Sequence, residues 1–132
     1  GGSVCTPSYY TLENHMHYIY QEGRTVFKYA VANMANACEA VIERNHLSKD
    51  DIDWVIPHQA NQRIIDFAVK KLGIDPARCP GNIERTGNTS AASVPLLLDE
   101  LVGGGAITSG QKALCVGFGG GLTWAGALLE LA

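Results

Sequence analysis

The chain has no apolar run long enough to cross a bilayer, no leader-like charged and apolar pattern at its start, and no excess of positive charge. Its formal net charge of -3 excludes a general attraction to nucleic acid or to an anionic membrane surface. No Cys-x-x-Cys pair occurs among the four cysteines Cys5, Cys38, Cys79 and Cys115, so a structural zinc site is not expected. Charged residues make up only 17% of the chain, which implies that part of the surface is covered by something else. The expectation is a cytoplasmic protein without nucleic-acid contact or membrane insertion. Cys38 and Cys115 lie in apolar runs and read as buried free thiols, as a reducing compartment allows, while Cys5 reads as exposed.

What is present is enough for one domain with a core of its own, since 132 residues fall within the usual single-domain size. Residues 1–22 show no sustained periodicity and read as a linker or interface segment, with residues 23–132 forming the domain. His15 and His17 lie two apart in that leader. A metal pair is one reading, an interface segment the stronger one, because no third ligand is near; no metal is expected.

From Arg24 to Arg44, apolar residues recur at three- and four-residue steps, as on one face of a long helix. Asp53 to Pro57 reads as a short strand closed by proline. A helix follows from about Asn61 to Leu72, stopped by Gly73. Pro76 to Arg85 is turn-rich with room for a strand near Asn82-Ile83-Glu84. Gly87 to Ser90 then opens a third helix, in which Pro95 is tolerable within the first turn. Lys112 to Phe118 and Leu122 to Leu131 read as two strands joined by a glycine turn. This order implies a mixed α/β layer. The last strand is apolar on both faces, so it is expected to be central or covered, with a second layer missing.

Four segments carry a family resemblance. Asp53-Trp-Val-Ile-Pro-His-Gln-Ala-Asn61 resembles the active-site histidine motif of the β-ketoacyl-acyl-carrier-protein synthase III family. Gly87-Asn-Thr-Ser-Ala-Ala-Ser93 is similar to its asparagine motif, Phe118-Gly-Gly-Gly-Leu-Thr-Trp124 to its C-terminal glycine hairpin, and Gly23-Arg-Thr-Val-Phe-Lys-Tyr-Ala-Val31 to a fourth block. The four occur in the family's order and cover nearly the whole chain. One departure is Ala125 after Trp124, where the family has glycine.

The resemblance implies an α/β, thiolase-like fold, of which this chain is one half: a mixed sheet with packed helices and a C-terminal glycine hairpin. It implies an acyltransferase without cofactor that condenses acyl-CoA with malonyl-acyl carrier protein, losing carbon dioxide and initiating fatty-acid synthesis. The full-length protein would be a homodimer. The reactive cysteine of the family lies in the N-terminal half, so this chain alone is expected to be inactive. His58 and Asn88 would stabilise the malonyl-derived enolate, and the Gly120 N–H a second oxyanion. Phe118, Asn61 and Ala60 would line the active site.

Each assignment has a plainer competitor: a structural histidine for His58, a helix-entry residue for Asn88, a turn glycine for Gly120. Arg63 and Lys70 share a helix face, with Lys71 adjacent. Spacing alone favours a solvated face paired with Asp66, whereas the resemblance, which adds Lys28, implies a carrier-protein docking patch. A starter-type polyketide or quinolone synthase half, or a non-catalytic partner subunit of the same fold, remains the alternative.

Overall fold

The structure, a computed structural model, describes residues 3–132; Gly1 and Gly2, with which the expected linker begins, lie outside the described residues. Within that leader the chain forms a short helix, α1 (Tyr9–Glu13), which the lack of periodicity did not suggest. Its start is set locally, by a capping box in which the Ser8 side chain accepts from the Thr11 N–H. Helix α2 (Gly23–Arg44) is the long amphipathic helix, burying Ala30, Met34, Ala35, Ala37, Cys38 and Ile42. Strand β1 (Trp54–Pro57) and helix α3 (Gln62–Leu72) follow, and Gly73 ends α3 at a φ of 71°. That left-handed conformation favours glycine and explains the stop.

The segment expected as a strand near Asn82 is instead a short helix, α4 (Ile83–Thr86). The Asn82 carbonyl accepts from the N–H groups of Arg85 and Thr86 at 2.9 and 3.0 Å, so local bonds close a helical turn. The third expected helix starts later than Gly87. A 3-10 turn (Ser90–Ala92) precedes helix α5 (Ser93–Gly103). Pro95 is its third residue, where the missing N–H has no helical partner to lose.

Strands β2 (Lys112–Gly119) and β3 (Thr123–Glu130) complete a three-stranded sheet in the order β1-β2-β3. β1 pairs parallel with β2, and β2 pairs antiparallel with β3. Side-chain alternation sends Val55, Leu114 and Val116 to one face, where they pack on α2 and α3. Ile56 and Ala113 face the other way, onto Leu97 of α5 and Ile107. Both faces of β1 and β2 are therefore covered, as parallel strands require. Each fully buried Ile or Leu in these layers contributes on the order of 1.5–3 kcal/mol.

β3 departs from expectation. It is an edge strand in this chain, and Trp124 and Leu129 are 45% and 37% exposed. α5 packs under β1 and β2 but makes no comparable cover for β3, while α2 covers its other face at Gly126 and Leu128. Ala125 leaves the register unbroken, with Phe118↔Trp124, Gly117↔Ala125 and Val116↔Gly126 in sequence. Cys38 is buried as expected, whereas Cys115 is only half-buried and Cys5 is half-buried rather than exposed.

Gly126 sets how closely α2 approaches the sheet. A Cβ there would stand 2.9 Å from Val41 Cγ2 and 3.5 Å from the Ala37 carbonyl oxygen. Gly126→Ala is expected to destabilise the fold by about 1–3 kcal/mol, the usual cost of overpacking. Adding Val41→Ala should recover part of the loss. A double-mutant cycle by urea denaturation checks this, and strictly additive effects would show that the two side chains do not collide.

Candidate functional site

Because β1 and β2 run parallel, their C-terminal ends lie at the same end of the sheet, and the segments that follow them meet there. This is where ligands bind in open α/β layers. His58 leaves β1 directly after Pro57, held by its N–H donating to the Val116 carbonyl at 2.8 Å. The first turns of α3 and α5 and the glycine turn after β2 border the same region. Two adjoining clefts result, of about 560 and 670 Å³, which share His58, Asn88, Ser90, Phe118, Gly119 and Gly120.

His58 is half-buried, and its Nδ1 lies 2.5 Å from the Ser93 hydroxyl oxygen. The ring meets Phe118 edge-on, with centroids 5.3 Å apart. Burial pushes its pKa below the ordinary imidazole value, so the ring is neutral near pH 7. Nδ1 is thus occupied, while Nε2 has no hydrogen-bond partner among the described residues.

Asn88 shapes the chain locally and also lines both clefts. Its Oδ1 accepts from the Ser90 N–H at 2.9 Å, an Asx turn that shapes the loop before α5. Since a backbone N–H must meet the oxygen, the amide orientation follows, and Nδ2 of this cleft-lining residue has no hydrogen-bond partner among the described residues. Gly120 lies in the turn bordering both clefts, and a Cβ there would meet open space. Ala60 and Asn61 line the larger cleft, and Asn61 also caps α3 by accepting from the Arg63 N–H at 2.9 Å. Among the described residues no cysteine lines either cleft. Burial raises the Cys38 and Cys79 thiols to about 12, which makes them poor nucleophiles. Among the described residues no three His, Cys, Asp or Glu side chains cluster as metal ligands would, and His15 stacks on Tyr18 at 5.0 Å.

The basic residues divide. Arg63 sits over the Phe27 ring of α2 at 5.7 Å, and Lys71 Nζ reaches α2 at Asn36 Oδ1, 3.2 Å away. Lys28 and Lys70 are exposed. The pairing with Asp66 that spacing favours does not form: Asp66 accepts from Gln62 at 2.8 Å and makes no ion pair with Arg63 or Lys70.

Two residues of the site carried no role in the sequence reading. Gln59 is fully buried, its Nε2 donating to the Pro57 carbonyl at 2.9 Å and its Oε1 accepting from the Asn82 N–H at 3.2 Å. Ser93, 1% exposed, bonds both His58 and the Gln59 N–H. Both stand inside motifs already quoted, but sequence position does not reveal which member of a motif points inward.

The family model described as 3-oxoacyl-[acyl-carrier-protein (ACP)] synthase III C terminal matches residues 42–131. The chain is 55% identical over 124 residues to β-ketoacyl-[acyl-carrier-protein] synthase III 1 of Bacteroides thetaiotaomicron, covering 94% of this chain and 36% of that protein. The structure superposes on synthase III of Thermus thermophilus with a TM-score of 0.83 at 49% identity, covering 86% of this chain and 35% of that one. It also matches the priming β-ketosynthase from the R1128 polyketide biosynthetic pathway, with a TM-score of 0.80 at 44% identity over 85% and 34% of the two chains. The chain therefore spans somewhat more than a third of the length of these relatives, and its fold is thiolase-like α/β with a mixed sheet.

A histidine whose pKa is lowered on folding is protonated first in the unfolded chain. Its contribution to stability is complete above the unfolded value of about 6.5 and is lost as pH falls from there through the folded value. The urea midpoint of the chain should therefore drop between pH 7.5 and 5.5, and less steeply in His58→Gln. Equal slopes in the two proteins would mean that burial does not hold the ring neutral.

Proposed function

Because the chain belongs to the 3-oxoacyl-[acyl-carrier-protein] synthase III family through its C-terminal domain, we propose that it supplies the enolate-stabilising part of a decarboxylative condensing centre. The reaction joins an acyl group, delivered from coenzyme A, to malonyl-acyl carrier protein with loss of carbon dioxide. When the malonyl thioester decarboxylates, the bonding electrons of the departing carboxylate end on the thioester oxygen. That oxygen needs donors which do not themselves titrate at working pH. His58 and Asn88 are such a pair, one neutral imidazole N–H and one amide N–H on a shared cleft. The single observation behind the reading is that each has its other polar atom engaged locally, at Ser93 and Ser90, so that His58 Nε2 and Asn88 Nδ2 have no protein partner among the described residues. Removing one such donor costs roughly 2.7–4 kcal/mol in comparable oxyanion holes. Val94 in the first turn of α5 lines one cleft, and Ile64 in the first turn of α3 lines the other.

The enolate carbon then attacks an acyl thioester, and the Gly120 N–H serves the oxyanion of that second step. Phe118, Ala60 and Asn61 border the path along which a pantetheine arm would reach the pair. Lys28, Arg63, Lys70 and Lys71 form the docking patch for the acidic carrier protein, and their freedom from Asp66 supports that role over a self-paired surface. The acyl-carrying thiol is not supplied by this chain, since no cysteine borders the clefts. It belongs to the N-terminal segment that the longer relatives carry, and the whole protein is a homodimer in the cytoplasm. No helix among the described residues is long and apolar enough to cross a membrane. The match to a priming polyketide ketosynthase favours one second reading, in which the same pair serves a polyketide starter condensation.

Alone, the chain should show no acyl transfer from acyl-CoA. Fused to the preceding segment of the Bacteroides relative, it should form β-ketoacyl-carrier protein from acyl-CoA and malonyl-carrier protein. In that fusion His58→Ala or Asn88→Ala should lower malonyl decarboxylation about 10²–10³-fold while acylation of the cysteine survives. Radiolabelled malonyl substrate reads the first activity and mass spectrometry of the acyl-enzyme the second. Decarboxylation undiminished in both variants would sink the assignment, and the acyl products formed separate a fatty-acid from a polyketide starter.

A further inference from the structure

Whether His58 can donate to an oxyanion depends on which ring nitrogen carries its proton, and the answer lies behind the ring rather than in the cleft. Ser93 is the first residue of α5 and is 1% exposed. Its hydroxyl oxygen accepts from the Gln59 N–H at 3.2 Å and lies 2.5 Å from His58 Nδ1. A hydroxyl owns one proton and two lone pairs. The Gln59 N–H uses one lone pair, and among the described residues Nδ1 is the only acceptor within hydrogen-bonding reach of the proton.

Only one arrangement then satisfies every group. If Nδ1 carried the ring proton, the hydroxyl would accept twice and its own proton would be buried without an acceptor, an arrangement folded proteins avoid. If Nδ1 is bare, the hydroxyl donates to it, accepts from Gln59, and nothing is left unpaired. The ring proton then sits on Nε2, the nitrogen without a protein partner.

We infer that Ser93 is a positioning residue that sets His58 in the Nε2–H tautomer, so that the ring presents a donor, not a lone pair, to the cleft. The opposite tautomer would place a lone pair against the thioester oxygen and repel the developing charge. The same hydroxyl holds two consecutive residues of the β1–α3 connection, His58 and Gln59, to the start of α5. Asn88 lies five residues before Ser93, so one buried hydroxyl fixes both the proton and the relative placement of the two donor-bearing segments. The catalytic consequence rests on the function proposed above; the tautomer itself does not.

The test is a two-bond 1H–15N correlation spectrum of the ¹⁵N-labelled chain at pH 7.5. The expected wild-type pattern has His58 Nε2 protonated and Nδ1 unprotonated, with the Nδ1 resonance displaced by an accepted hydrogen bond. A slowly exchanging Ser93 hydroxyl proton should show a cross-peak to the ring. In Ser93→Ala the Nδ1 resonance should move to the position of a free acceptor, and the Nδ1–H tautomer should appear beside the original. Ser93→Thr, which keeps the hydroxyl, should restore the wild-type pattern.

A wild-type ring protonated at Nδ1 overturns the inference, as does a His58 pattern unchanged by Ser93→Ala. Should Ser93→Ala fail to fold, the wild-type spectrum decides by itself. In the fused enzyme, Ser93→Ala should lower kcat for decarboxylation with KM unchanged, and Ser93→Thr should recover it. Because the spectrum needs no substrate, a tautomer that follows Ser93 without any effect of His58 on decarboxylation would sink the proposed function and leave this inference standing.

Discussion

Parallel pairing of β1 with β2 is the constraint from which the candidate site follows. Parallel strands end together, so the residue after Pro57 and the glycine turn after Phe118 emerge side by side. Parallel strands also need crossover connections, and these bring α3 and α5 back with their first turns at that same end. Had β1 paired antiparallel with β2, His58 and Gly120 would stand at opposite ends of the sheet. The apolar alternation that keeps Val55, Leu114 and Val116 on one side, and Ile56 and Ala113 on the other, holds this register against a one-residue slip.

Around this frame Gln59, Asn82 and Ser93 are buried and hydrogen-bonded to neighbouring groups. Gln59 closes the turn after β1 through the Pro57 carbonyl and reaches the Asn82 N–H. Asn82 in turn donates to Glu100 at 3.0 Å, tying the loop before α4 to α5. Ser93 joins the same α5 to the His58–Gln59 segment. Low local dielectric makes such bonds costly to leave unmade, so they restrain the loops more firmly than surface contacts would. Loops without regular structure are thereby held in place around the clefts.

The opposite condition prevails at β3 and along the leader. Trp124 and Leu129 are partly exposed on an edge strand, and Tyr9, Tyr18, Ile19 and Tyr20 are exposed in the segment bordering the larger cleft. The clefts are open on this side and contain no thiol. Both facts accord with a chain that spans only about a third of its relatives' length.

Much of this was legible in sequence. Periodicity located α2, α3, β1 and β2 to within a residue or two, and the motifs named His58, Asn88 and Gly120, because helix faces and turn glycines obey local rules. Where local hydrogen bonds outweighed propensity the reading failed: Asn82 closes a helical turn, and Ser8 caps a helix within an aperiodic leader. The apolar last strand reads as central or covered, yet β3 is an edge with one open face, because composition reports what a strand can bury, not which neighbours are present. The sequence by itself determined the layers and the motifs on which the candidate donors stand. Only the tertiary structure decided that Asn88 orders its loop through one amide atom and keeps the other free, that Asp66 leaves the basic residues unpaired, and that Ser93 stands behind His58. Residues 35 positions apart meet only when β1 and α5 pack on each other, and the position of a proton depends on that contact.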